Sequence, residues 1–143
     1  MSRFKIIKMK NLILGIFAAV SLASCTATTT AGSSKVGKAQ PSLNNTKWTL
    51  ADNVKGTSPT LQIEGDKITG NGGCNNYFGT VTADAAAGNF SAGKLGSTRK
   101  ACPNMSVEIN YMEMLQKADK YVINGNTLEL YQGSLLLLKF NKQ

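Results

Sequence analysis

The chain has 143 residues, 42% of them hydrophobic and 17% charged, a profile that fits one globular domain and excludes a disordered chain. It contains no histidine, which removes histidine-based triads, histidine general bases and nearly all common zinc sites. The formal net charge of +8 points first to nucleic acid, but Arg3, Lys5, Lys8 and Lys10 all precede an apolar run; the remainder holds 12 basic and 8 acidic side chains, scattered, so no nucleic-acid partner is expected.

The first element is an address. A basic start at Lys8 and Lys10, an apolar core over Asn11–Val20 and small residues after it make a secretory signal. The 14 residues from Asn11 to Ser24 fall short of the ~20 that a spanning helix needs. Leu22-Ala-Ser-Cys25 resembles the bacterial lipobox. Residues 1–24 are therefore expected to be a lipoprotein signal peptide, starting at Met1 or Met9. Cys25 becomes the lipidated first residue of the mature protein, anchored by two or three acyl chains where one would bind only marginally. Residues 25–44 are small, polar and without hydrophobic period, and are expected to form a flexible tether. Nothing acidic follows Cys25 closely, which favours an outer-membrane anchor with the domain facing the periplasm.

Short strands come next. Thr46–Leu50 alternates polar and apolar, with Trp48 and Leu50 on the face expected to point inward. Thr60–Glu64 and Lys67–Gly70 flank the turn Gly65-Asp66 and read as a hairpin. Asn76–Thr82 is a further strand, and Asn89–Ser91 and Lys94–Thr98 are weaker ones. Lys120–Ile123, Thr127–Tyr131 and Leu135–Phe140, joined at Asn124-Gly-Asn and Gln132-Gly-Ser, form a meander. Between them, Val107, Tyr111, Met114 and Ala118 recur at helical spacing over Ser106–Lys120, with Asn104 placed to cap the start and Glu113 four residues before Lys117. Seven or eight antiparallel strands and one helix predict a β-dominated α+β domain. The expected architecture is a small closed or nearly closed barrel with the helix covering one end.

If Cys25 carries lipid, Cys74 and Cys102 remain, and an even count in an oxidising compartment points to one disulfide. The loop it closes is worth roughly 3.5 kcal/mol in the chain-entropy model. Two thiolates are too few for a metal site, and a cysteine nucleophile lacks an imidazole base. The run Gly70-Asn-Gly-Gly-Cys-Asn-Asn76 is neither a dinucleotide fingerprint nor a phosphate loop, and its glycines are expected to permit positive φ or close packing. Ser97-Thr-Arg-Lys100 matches Ser-x-x-Lys of penicillin-recognising enzymes, but without the partner motifs it is a chance match.

Trp48, the block Gly72-Gly-Cys-Asn-Asn-Tyr-Phe-Gly79, the block Ser97-Thr-Arg-Lys-Ala-Cys-Pro103, the helix and Leu128-Glu-Leu130 together resemble the META domain of HslJ-type bacterial lipoproteins. The domain would span residues 45–143. Lys100 stands where the family pattern commonly has methionine, so a core role is not expected there. The resemblance implies a lipocalin-like barrel in an envelope protein, linked in some members to heat shock and novobiocin resistance. It carries over Trp48, Gly72, Gly73, Cys74, Asn75, Tyr77, Gly79, Thr98 and Cys102 as structural positions only; no catalytic residue, metal or cofactor is implied.

Two readings follow. The first is a monomeric, non-enzymatic envelope lipoprotein supporting stress tolerance. The second is an inhibitor or binder of a periplasmic protein such as a lysozyme- or protease-like enzyme, which an exposed loop with a basic or aromatic tip would favour. A small-ligand carrier needs a cavity of several hundred Å³, and a barrel of about 100 residues is expected to be filled instead. An enzyme ranks last.

Overall fold

A computed structural model describes residues 35–143. The expected signal peptide, Cys25 and the first part of the tether lie outside the described residues. Nine strands and one helix follow: β1 (Thr46–Leu50), β2 (Thr60–Glu64), β3 (Lys67–Asn71), β4 (Asn76–Asp84), β5 (Asn89–Ala92), β6 (Gly96–Ser97), α1 (Met105–Lys117), β7 (Lys120–Asn124), β8 (Thr127–Gln132) and β9 (Leu135–Lys142). Every pairing is antiparallel. Strands β1 to β5 pair in sequence, β5 pairs with β7, β7 to β9 form the expected meander, and β9 returns to β1. Eight strands thus close a ring, which leaves few ladder edges unpaired. Strand β6 lies outside that cycle, on β4 opposite Tyr77 and Phe78.

Alternation decides which side chains face inward. Trp48 and Leu50 on β1, Leu61 and Ile63 on β2, Ile68 on β3 and Leu138 and Phe140 on β9 are buried, while Lys47, Lys67 and Lys139 between them are exposed. The Trp48 Nε1 donates to Thr46 Oγ1 at 2.8 Å, which satisfies the indole inside the core. The inward side chains leave almost no surface that a water molecule can reach. The narrowest seam is β5–β7, with one registered pair, Asn89 opposite Lys120. Backbone bonds from Phe90 N to Asp119 O (2.9 Å) and from Tyr121 N to Gly88 O (2.9 Å) reinforce it. Helix α1 packs against β5 and β9, with the Tyr111 ring edge-on to Phe140 at 6.2 Å.

Three expectations change. The helix starts at Met105 and ends at Lys117, because Ala118 turns to extended backbone (φ −66°, ψ 132°) to feed β7. Asn104 holds the N-cap position without a capping bond; its Nδ2 donates instead to Lys55 O at 3.2 Å, in the loop alongside. The tether does not extend to residue 44. Gln40 N donates to Ala85 O (2.7 Å), Gln40 Oε1 accepts from Ile123 N (3.0 Å), Pro41 O accepts from the Tyr121 hydroxyl (2.9 Å), and Leu43 is buried. These contacts offset the ordering entropy that composition alone could not.

Candidate functional site

The Gly-rich turn between β3 and β4 is built around one side chain of α1. A Cβ on Gly72 would lie 2.9 Å from Glu108 Cγ, and Gly73 takes a φ of +113° that a side chain would strain. Cys74 follows and is bonded to Cys102, with Cα atoms 6.1 Å apart, which joins this turn to the segment entering α1. Gly79, further along β4, makes room for Leu95, whose Cδ2 would be 2.7 Å from an added Cβ.

Asn75 and Glu108 form the centre of the site. Asn75 is 2% exposed and Glu108 6%. Asn75 N donates to Glu108 Oε2 at 2.5 Å and Asn75 Nδ2 donates to Oε1 at 3.0 Å. Asn75 Oδ1 accepts from Thr98 Oγ1 (2.8 Å) and from Lys100 N (2.7 Å), and Nδ2 also donates to Lys100 O (3.1 Å). Its carbonyl accepts from Gly72 N at 2.8 Å. Every polar atom of Asn75 is therefore engaged, as a buried amide requires. One asparagine pins the glycine turn, the 97–101 loop and the helix together.

Above this node lies an open cleft of about 360 Å³, lined by Asn75, Ser97, Thr98, Arg99, Lys100, Ala101, Met105 and Glu108. Ser97 and Lys100 are both exposed, and among the described residues no hydrogen bond joins their side chains. On the adjoining part of β4 the Phe78 ring is 59% exposed and lies over Gly96, where an added Cβ would come within 3.0 Å. No group of three or more metal-ligating side chains occurs among the described residues.

A family model for the META domain matches residues 41–143. The chain belongs to the META domain family. The match begins at Pro41, whose carbonyl is already held by Tyr121, so the META domain starts before the expected residue 45. Solved structures resemble it: an NMR structure of a protein from Burkholderia xenovorans (25% identity, TM-score 0.60, 71% of this chain and 83% of that one) and a crystal structure of a DUF4847 family protein from Bacteroides vulgatus (16%, 0.52, 69% and 93%). A further NMR structure matches at 19% identity and TM-score 0.54, covering 68% of this chain and 89% of that one. No curated protein matches.

In the META domain the signature positions Gly72, Gly73, Cys74, Asn75, Thr98 and Cys102 meet at this one site, whereas Trp48 and Tyr77 belong to the core and Gly79 to the contact with Leu95. Sequence reasoning missed Glu108. It falls three residues before Tyr111, on the buried stripe that continues to Leu115 and Ala118, and a carboxylate on that stripe was the available signal.

Proposed function

We propose that this META domain is a non-catalytic module of a lipid-anchored envelope protein, supporting envelope stress tolerance by binding another envelope protein through its surface. The supporting observation is a filled ring beside a distinctive outer face. Trp48, Tyr77, Tyr111, Tyr121 and Phe140 are all 0–2% exposed, so the interior has no room for a carried ligand. Outside, Phe78 projects from β4 next to the loop that holds Lys94, Arg99 and Lys100, and residues 85–107 contain no acid. An aromatic anchor with a one-sign rim favours an acidic partner and disfavours a basic one.

The test is crosslinking from position 78 in cells that export the protein, joined to complementation of a deletion strain under heat and novobiocin. One stoichiometric adduct is expected, abolished by Arg99→Glu with Lys100→Glu, and that double variant fails to restore tolerance. Full restoration by the double variant, or no adduct, overturns the reading.

A further inference from the structure

We propose that the cleft above Asn75 and Glu108 binds a small zwitterion, a free amino acid or short peptide that brings an ammonium group and a carboxylate together. The floor supplies the first half. Glu108 is a buried carboxylate whose two oxygens offer about four acceptor positions. Asn75 occupies two of them with N–H groups. Among the described residues no cation lies within ion-pair distance of Glu108, and the two ion pairs present are Glu113–Lys117 and Glu129–Lys139. A buried charge without a counter-charge is costly, and an ammonium in the cleft would supply one.

The rim supplies the second half. Arg99 and Lys100 line the same cleft, are exposed, and make no ion pair among the described residues. The loop carrying them is fixed, because the Asn75 amide holds both the N–H and the carbonyl of Lys100. A simple anion would meet the charge of Glu108, and a simple cation would meet Arg99 and Lys100. Only a ligand with both charges answers both ends. The volume, about 360 Å³, sits at the small end of ligand pockets and suits a few residues at most. The inference goes beyond the protein-binding reading and does not depend on it, since its readout is a small molecule.

The test is a titration of the isotope-labelled exported protein with glycylglycine, acetate and methylammonium, followed by NMR. Glycylglycine is expected to shift the amide signals of Asn75, Thr98 and Lys100 saturably, with acetate and methylammonium each weaker by about tenfold or more. Arg99→Ala, at an exposed position, should weaken the dipeptide by a similar factor. Glu108→Gln should erase the preference for the dipeptide over acetate; if that variant does not fold, Arg99→Ala and the three-ligand comparison decide. Acetate binding as tightly as glycylglycine, or no saturable shift with the dipeptide, overturns the proposal.

Discussion

Two phenol protons serve three contacts where Tyr77 and Tyr111 meet. Their oxygens are 2.8 Å apart, and both lie within reach of the Thr60 carbonyl, at 2.8 and 3.1 Å. Gly70 makes the junction possible, since an added Cβ would sit 2.0 Å from Thr60 O. Burial raises the pKa of both phenols above the ordinary tyrosine value, strongly for Tyr111, which the neighbouring Tyr77 raises further. A group whose folded pKa is raised contributes stability that is complete below the unfolded pKa near 10 and is lost as pH climbs toward the folded value. Stability should therefore fall by about 1.4 kcal/mol per pH unit for each of these phenols above roughly pH 10. Ultraviolet titration at about pH 11 should find Tyr77 and Tyr111 un-ionised for as long as the protein is folded. Tyr111→Phe should flatten the alkaline loss; ionisation of all four tyrosines before unfolding would contradict the assignment. Tyr111 was legible as a core residue from its helical spacing. Its meeting with Tyr77 was not, because the two lie on separate elements and only closure of the ring brings them together.

Among elements, the glycine turn, the 97–101 loop and the start of α1 are held twice, by a covalent bond and by Asn75. Cys74→Ser and Cys102→Ser should each cost ~2–5 kcal/mol, and the double variant little more than either, because all three remove the same bond. Denaturant unfolding of the three variants measures this; additive losses would mean that the cysteines act separately. Cysteine parity made the bond legible in the sequence. The asparagine clamp was not legible, since its partners are backbone groups of Lys100 and a helix carboxylate that no spacing rule connects to position 75. The strands were read from period-two alternation, and the weakest of them, β5 and β6, are the short ones that share an edge of β4. The helix ends three residues before the expected Lys120, because Ala118, the last residue of the apolar stripe, is already in extended backbone.

For the molecule as a whole, a closed ring of strands does not bring a hollow. The aromatic and leucine side chains of eight strands and one helix meet in the middle of the ring. A fluorescent fatty acid added to the folded protein should therefore gain no saturable emission, and tight stoichiometric uptake would show that the interior opens. The fold class followed from counting strands and from the need to cover their edges. The order of strands around the ring did not, because alternation says which face of a strand is apolar and nothing about its neighbours.

The pairing of β1 with β9 sets a schedule for assembly. Trp48 stands opposite Lys142, and Gln143 N reaches back to Lys47 O at 3.0 Å. A chain that emerges N-terminus first can form the hairpins of β1 to β4 as they appear, but β1 keeps one edge bare until β9 has arrived. Joining positions almost a hundred residues apart is a slow, entropically costly step. Until then the indole of Trp48 and the free edge of its strand stay available to neighbouring chains. The hazardous interval for this protein thus falls between the emergence of β1 and the arrival of β9, and losing β9 would prolong it indefinitely.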